Sequence, residues 1–476
     1  FDLIQMSRGE VFSRKEVSGS SERISKMLGN EGYAFANVNS IPDIDEESKQ
    51  VELTFFVDPG KRVYVRRINV KGNHDTRDEV LRREMLQEEA GWFSSEQVRK
   101  SRERLQRLGF FEEVNVETPA VAGSTDQVDV DISVVEKEAG NLAAGLGFSP
   151  SQGVIFNASI TQNNFLGTGK RISLGFNTSS ANTFYQLAYT NPYYTLDGIS
   201  RGFRFSYRKT DFNEVDVANY NIDLAQAGVT FGIPLNETDR LTLDMDLNST
   251  DYKVGSDASD QVRAFEENNG SNFLDYQVGL RWSHDSRDSA LMPTSGGLQS
   301  FSASATLPVS DLEYYQLQYL QKRYFPLSKT FTLGFKVDAA FGDAYGDTTT
   351  LPPWERYFAG GMKTVRGYKD YSLGPQDSKG DPAGGNLRLV GNTEILFPAP
   401  FKLMEKTVRL SLFVDAGNVY ATDVGTFDIG DIRYSTGTSL FWLSPFGALG
   451  FSLAYPLNDE SQDETEYFQF AFGSAF

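Results

Sequence analysis

Apolar and polar residues alternate with a period of two through most of the chain from about residue 141 onwards. In the segment TFTLGFKVDAAFG, Phe335 and Val337 fall on one face of an extended chain, and Lys336 and Asp338 fall on the other. This alternation indicates β-strands whose two faces meet different surroundings. Eleven such segments precede residue 344 and five follow residue 385, which predicts an antiparallel sheet of about sixteen strands.

The length of the alternating region distinguishes two kinds of β-structure. A soluble β-sandwich also alternates, but this region runs for more than 300 residues, with aspartates on the polar face and Phe and Tyr near the strand ends. These features are typical of a barrel with its apolar face to lipid and its polar face to the lumen. No run approaches the roughly 18 apolar residues of a transmembrane helix. We therefore expect residues 139–476 to form a closed transmembrane antiparallel β-barrel.

The first 138 residues contain a tandem repeat. The segment LGNEGYAFANVNS around Gly32 matches RLGFFEEVNVE around Gly109 at an offset of 77 residues. The second copy predicts the order β-α-α-β-β, and the first copy has the helices and final strands but lacks most of its opening strand. We therefore expect two small α+β domains, at residues 1–59 and 60–138.

Two local patterns predict the helix starts in the second repeat. Thr76 and Glu79 have the spacing of a capping box and predict a helix through DEVLRREML. Ser94 and Gln97 predict the start of a second helix, which Gly109 ends.

Composition limits the chemistry. The chain has no cysteine, which excludes disulfides and thiolate ligands, and its net charge of −19 argues against a nucleic-acid partner. Only two histidines are present. His284 lies beside Asp285 and Asp288, a pattern that we weighed as a hydrolase site, but one histidine in a polar loop is more often a surface residue. We expect no catalytic residue, no metal site and no cofactor.

One irregular segment, GGMKTVRGYKDYSLG, interrupts the strands and carries Arg366. The alternation of the two following strands places Glu394 and Asp415 on the lumen face. Carboxylates inside a barrel need a neutralising cation, and a guanidinium fork suits two of them. Glycines would let the loop 360–385 fold back into the lumen. Spacing alone leaves open a second interpretation, in which Arg366 lies in a solvated external loop.

The tandem repeats resemble polypeptide-transport-associated (POTRA) domains, and the whole chain resembles the outer-membrane β-barrel assembly family. The matching segments are VRRINVKGN, LRREMLQEEAGWFSS, RLGFFEEVNVE, NNFLGTGK, TNPYYTLDG, PTSGG, YFAGGMKTVRGY and YFQFAFGSAF. Relatives carry five POTRA domains, so we expect this chain to hold an incomplete fourth domain and the fifth. The resemblance implies that Arg366 enters the lumen and pairs with Glu394 and Asp415. The other residues of that loop motif are Val365, Gly367 and Tyr368.

The seam between the first and last strands is a second candidate site. The first strand contains Gly145 and Gly147, and glycine weakens strands. The last strand is rich in phenylalanine and brings Phe472, Gly473 and the terminal Phe476 to the seam. A weak seam exposes an edge that can template another strand. The resemblance implies that incoming barrel proteins pair with this edge and pass into the bilayer. The sequence has no Walker-type GxxxxGK(S/T) motif, and client folding can drive the step, so we expect no nucleotide requirement.

The resemblance also implies an outer-membrane location, with the POTRA domains in the periplasm. The implied partners are unfolded outer-membrane β-barrel clients, lipoprotein subunits of an assembly complex, periplasmic chaperones and outer-membrane lipid. Glu88 and Glu89 are candidates for part of a lipoprotein docking face, although a solvated helix end explains them equally well. The alternative function is a POTRA-type secretion pore that exports a partner protein.

Overall fold

A computed structural model describes residues 2–215, 217–400, 404, 407–425, 427–444 and 447–473. The chain divides into two compact units. One unit comprises residues 1–140 and 162–170, and the other comprises residues 141–161 and 171–476. Among the described residues, none of the helices combines the length and apolar character needed to cross a bilayer.

The second repeat is a three-stranded sheet covered by two helices, as its sequence predicts. Its elements are β3 (Tyr64–Lys71), α2 (Asp78–Arg82), α3 (Ser95–Arg107), β4 (Phe111–Glu117) and β5 (Gln127–Glu136). The central strand β5 pairs in parallel with β3 and antiparallel with β4. Val65, Val130, Ile132 and Leu105 are fully buried between sheet and helices. Burial of each such side chain contributes about 1.5–3 kcal/mol.

The capping box predicted at Thr76 is wrong. Helix α2 has five residues and begins after Arg77, which makes no side-chain capping bond. The Thr76 hydroxyl instead accepts a hydrogen bond from Asn164 Nδ2 at 2.7 Å, within the same compact unit. The backbone N–H of Thr76 donates to the carboxylate of Glu136, so the groups of the expected cap have longer-range partners.

Helix α3 starts as predicted, because Ser94 Oγ accepts from the N–H of Gln97 at 3.3 Å. Gly109 has φ +74°, a conformation that favours glycine where a helix ends.

Glu136 at the end of β5 accepts hydrogen bonds from the backbone N–H groups of His74, Asp75 and Thr76. Partial burial raises the pKa of this carboxyl, but the hydrogen bonds from Asp75, Thr76 and His74 outweigh it and leave the pKa below its usual value. The carboxylate therefore fixes the turn that follows β3.

In its described residues, from 2 to 59, the first repeat contains one helix, not the two expected. Its elements are α1 (Arg14–Asn30), β1 (Asn37–Asp45) and β2 (Gln50–Asp58), and the two strands form a sheet of their own. Ser13 caps α1 through the N–H of Glu16. The Ser95 hydroxyl donates to Asn30 Oδ1 at 2.8 Å, which joins α3 of the second repeat to the end of α1.

The remaining strands form a closed antiparallel barrel of sixteen, eleven before the long irregular loop and five after it, as the alternation predicts. The strands are β6 (Gly140–Ser149), β7 (Gly153–Phe165), β8 (Lys170–Thr178), β9 (Asn182–Asn191), β10 (Ser200–Asp211), β11 (Tyr220–Pro234), β12 (Asp239–Val254), β13 (Asn272–Asp285), β14 (Gly296–Thr306), β15 (Tyr314–Pro326), β16 (Thr332–Ala344), β17 (Leu387–Pro398), β18 (Val408–Tyr420), β19 (Arg433–Ser444), β20 (Gly447–Pro456) and β21 (Phe468–Phe472).

The barrel is apolar outside and polar inside. In β16, Phe335 and Val337 are exposed on the outer face, while Thr332 and Asp338 are buried within the barrel. A soluble protein would show the opposite arrangement. This inversion is the pattern of a barrel that lies in lipid.

Long loops cover one end of the barrel. The loop between β12 and β13 contains α4 (Asp260–Asn269). Its residues Val262 and Phe265 join Val217, Tyr252 and Leu351 in a buried apolar cluster, which draws several loops together.

Candidate functional site in the in-folded loop and at the seam

Arg366 lies inside the barrel and is 6% exposed. Its Nε and Nη2 atoms donate to the two carboxylate oxygens of Asp415 in β18, both at 2.7 Å. Its backbone N–H donates to the same carboxylate at 3.1 Å. Nη1 lies 2.6 Å from Glu394 Oε1 in β17. The structure thus brings together the three residues that the sequence selected, in a two-sided guanidinium fork.

The two carboxylates differ in their surroundings. The Asp415 side chain is fully buried, whereas that of Glu394 is 26% exposed. The strand register pairs Asp415 with Asn392 and Glu394 with Phe413, so the acids are offset by two residues across the β17–β18 ladder. Arg366 spans this offset, which a shorter cation-bearing side chain could not do with the same number of hydrogen bonds.

Two further contacts hold the arginine and were not found from the sequence. The guanidinium carbon lies 3.5 Å from the ring centroid of Phe413, which is a cation–π contact. Asn392 Nδ2 donates to the carbonyl of Thr364 at 2.7 Å and fixes the loop just before the arginine. Phe413 and Asn392 lie on the lumen face of their strands, beside the two acids. The alternation of the strands could have identified them as neighbours of the arginine, because it places them on the same face as Glu394 and Asp415.

The other motif residues fill the space around the loop. Val365 is fully buried in a small apolar cluster with Leu373 and Val390. Gly367 has φ +91°, and a Cβ there would lie 3.2 Å from Ala454 Cβ, so the motif needs glycine at this position. Tyr368 is fully buried, and its hydroxyl donates to a backbone carbonyl in β19 at 3.3 Å.

The loop is also bound to the last strand through Gln469, which the sequence did not identify. Gln469 Oε1 accepts from the N–H of Gly367 at 3.2 Å, and its Nε2 donates to the carbonyl of Tyr368 at 2.7 Å. The motif therefore contacts β17, β18 and β21 together.

The seam between β21 and β6 closes the barrel. Within the described residues, Phe472 and Phe148 form the one residue pair between these two strands. The ring of Phe148 also stacks on that of Phe470, with the ring centroids 5.4 Å apart. Strand β21 makes five pairs with β20 on its other side. Gly473 has φ +71°, and a Cβ there would meet the backbone of Leu146 and Gly147.

The roles of two other residues expected at the seam stay predictions. Gly145 lies against β7, where a Cβ would come 2.9 Å from Asn157 Oδ1. Phe476 lies outside the described residues.

The two candidate docking residues, Glu88 and Glu89, have different surroundings. Glu89 Oε1 accepts from the N–H of Ile68 at 2.8 Å, so it has a structural role within the second repeat. Glu88 is exposed. Lipoprotein docking at these residues stays a prediction.

The three residues of the weighed hydrolase pattern have separate partners. His284 contacts Asp239 at 3.1 Å, whereas Asp285 pairs with Arg287 and Asp288 binds the loop at Thr294. The His284–Asp239 contact joins the ends of two neighbouring strands.

A closed sixteen-stranded barrel with an arginine-bearing loop folded into its lumen, preceded by small α+β repeats, defines the class of POTRA-bearing outer-membrane barrels. Comparison with known families agrees. The Omp85 superfamily domain matches residues 164–476, and POTRA, described as a surface antigen variable number repeat, matches residues 2–60 and 63–137. The chain therefore belongs to the Omp85 superfamily.

Two similar curated proteins carry the same name. The outer membrane protein assembly factor BamA of Neisseria meningitidis is 33% identical over 100% of this chain and 64% of its own length. BamA of Nitratidesulfovibrio vulgaris is 25% identical over 98% of this chain and 58% of its own length. The chain thus spans about three fifths of these curated relatives. The relatives are outer-membrane proteins, and the barrel fits that location.

Solved structures are similar as well. The crystal structure of BamA from Haemophilus ducreyi lacking POTRA domains 1–3 matches with a TM-score of 0.84 and 31% identity, over 98% of this chain and 95% of that one. CdiB from Acinetobacter baumannii matches with a TM-score of 0.58 at 12% identity, over 98% of this chain and 82% of that one, which indicates a shared fold alone.

Proposed function

We propose that this chain is the barrel-bearing part of an outer-membrane protein assembly factor, which folds β-barrel clients and inserts them into the outer membrane. The similarity to BamA assembly factors over the whole chain is the observation that carries the proposal. At the seam, separation of β21 from β6 would expose one edge of each strand. An edge of this kind can accept another strand through main-chain hydrogen bonds.

The arginine-bearing loop supports this function by keeping the rest of the barrel closed. Arg366 binds the β17–β18 ladder, which has twelve residue pairs. Because the same loop holds Gln469, we propose that β21 stays with the C-terminal strands while its contact with β6 opens. The loop would then act as a latch for the barrel wall beside the seam.

The energy for insertion would come from client folding. Each client strand that pairs at the edge satisfies backbone groups that would be costly if left unpaired in lipid. A nucleotide is therefore not required by this mechanism. We also propose the partners that the resemblance implies: unfolded barrel clients, lipoprotein subunits, periplasmic chaperones and outer-membrane lipid.

Reconstitution in liposomes tests the proposal. An unfolded outer-membrane barrel protein and a periplasmic chaperone are added, and conversion of the client to a heat-modifiable, protease-resistant barrel is followed. We expect faster insertion than with empty liposomes and loss of the gain in Arg366→Glu. A matched control is Lys369→Glu, which makes the same charge change three residues away, in an exposed pair with Glu464.

The same assay distinguishes an assembly factor from the alternative function, a secretion pore. Clients that appear across the membrane rather than in it would support a secretion pore and contradict an assembly factor. A folded barrel that gives neither insertion above the rate of empty liposomes nor transport across the membrane would contradict both.

A further inference from the structure

Four loops at one end of the barrel surround a cavity of about 280 Å³. The loops connect β10 to β11, β12 to β13, β16 to β17 and β18 to β19. Long loops of this kind face outward in outer-membrane barrels. Most of the lining is apolar, and its main side chains are Val217, Val262, Phe265, Leu351, Phe358 and Val424.

The cavity is large enough for a small molecule. A buried apolar cavity of about 150 Å³ in another protein stays dry and binds benzene. The present cavity has almost twice that volume, which suits a two-ring aromatic or an alicyclic group of similar size. Val217, Val262 and Leu351 belong to the apolar cluster that joins the loops, so the walls are parts of a packed core.

One polar atom in the lining lacks a partner. Ser259 is 2% exposed, and its Oγ makes no hydrogen bond to any described residue. Ser259 occupies the N-cap position of α4, where a serine usually accepts a backbone N–H, yet its side chain makes no capping bond. A buried hydroxyl without a partner is costly, and a ligand hydroxyl or amide would satisfy it.

The charges around the cavity favour an uncharged ligand. Arg356 also lines it, but its Nη2 atom is bound to the buried carboxylate of Asp423, so its charge is already compensated. Asp377 contributes a negative group to the lining. An anionic ligand would meet no free cation among these residues.

The lining also includes a polar part. Gln261, Asn268 and Gln376 line the cavity and are exposed to solvent. Gln261 and Asn268 lie on α4, and Gln376 lies on the in-folded loop, so polar side chains of both elements line the solvent-exposed side of the cavity.

We propose that this cavity is a binding site for a small, uncharged, mainly apolar molecule that carries one hydroxyl or amide group. The apolar walls supply affinity, and the Ser259 hydroxyl selects the polar group. This site is separate from the seam, and the proposal does not depend on the assembly function.

Quenching of tryptophan fluorescence by a brominated probe tests the site in protein held in lipid nanodiscs. Trp354 packs on the lining residue Phe265, with ring centroids 5.5 Å apart. We expect 6-bromo-2-naphthol to quench the Trp354 signal in a saturable way, and the variant Trp354→Phe to lack this component. Uptake of the probe into lipid would instead give quenching that rises in proportion to concentration and persists in Trp354→Phe.

Two further variants test the chemistry. Ala218 lies in the lining, and Ala218→Phe should fill the cavity and abolish saturable quenching while the barrel remains heat-modifiable. Ser259→Ala should weaken 6-bromo-2-naphthol about tenfold, a typical effect of one buried hydrogen bond, and leave 2-bromonaphthalene unchanged. Saturable quenching that survives in Ala218→Phe would overturn the site. Equal affinities of wild type and Ser259→Ala for the naphthol would overturn the assigned ligand class.

Discussion

The β17–β18 ladder and the β21–β6 seam belong to the same barrel wall, yet they are held very differently. The ladder has twelve residue pairs and a buried guanidinium fixed by two carboxylates and an aromatic ring. The seam has one pair in the described residues and a stacked pair of phenylalanines. Among the described residues, the buried ionic contact lies at the ladder and not at the seam. The comparison teaches that a polar latch can fix one part of a barrel wall, while the opening of the seam stays a proposal.

The arginine loop connects the two regions. Gln469 of the last strand binds the backbone of Gly367 and Tyr368, next to the arginine. The loop thereby holds the last strand, which forms one side of the seam. Replacing Arg366, crosslinking the seam and neutralising each carboxylate in turn test the two regions separately.

The largest effect is expected for Arg366→Glu. The change removes the bidentate pair with Asp415 and adds a third carboxylate beside two others. Breaking a buried ion pair costs about 3–5 kcal/mol, so the folded barrel should lose its compact migration on gels at a much lower temperature. Lys369→Glu should cost less than about 1 kcal/mol, because exposed pairs are screened. Equal melting of the two variants would contradict the buried latch.

A disulfide across the seam should keep it closed. Phe148→Cys with Phe472→Cys places thiols at the Cα partners of the seam, in a chain without other cysteines. We expect the oxidised form to lose client insertion and the reduced form to regain it. The control is Leu453→Cys with Phe468→Cys, Cα partners in the β20–β21 ladder, where oxidation should have no effect. Full insertion activity with the seam crosslinked would refute an opening seam.

The two carboxylates should contribute unequally. Asp415→Asn leaves the arginine with a neutral partner in a fully buried position, and we expect a loss of about 3 kcal/mol. Glu394→Gln should cost about 1 kcal/mol, because that side chain is partly exposed and its ion pair is screened. Thermal unfolding of the barrels measures both. If Glu394→Gln lost more stability than Asp415→Asn, burial of the carboxylate would not determine which of the two contributes more.

The smallest effect on stability is expected for Glu136 in the second repeat, outside both the ladder and the seam. Glu136 has a lowered pKa, so its ionised form stabilises the second repeat above about pH 4.3, the usual pKa of a free glutamate. That contribution is lost as the pH falls through the lowered folded pKa. In Glu136→Gln we expect stability lower by less than about 1 kcal/mol at pH 7 and a weaker dependence on acid.

Urea unfolding of the fragment 1–140 at pH 7 and at pH 3 measures this effect, with Trp92 as its sole tryptophan. If the variant and the parent lose the same stability on acidification, Glu136 is not the titrating group.

Local patterns predicted more of the barrel than of the repeats. The strand count and the two faces of β16 followed from alternation, because a barrel in lipid sorts side chains by a simple period of two. The capping box at Thr76 failed because its backbone N–H and its hydroxyl found partners in Glu136 and Asn164. Those residues are distant in the sequence, so the local pattern gave no sign of them.

The sequence by itself determined the tandem repeats, the number of barrel strands and the lumen face of Glu394 and Asp415, whereas it left the position of Arg366 open between the lumen and an external loop. Only the tertiary structure decided how they meet. The offset of two residues between the acids depends on the β17–β18 register, and the Gln469 contact joins residues about one hundred positions apart. Side-chain period is a local property of a strand, whereas register and loop docking depend on the whole closed barrel.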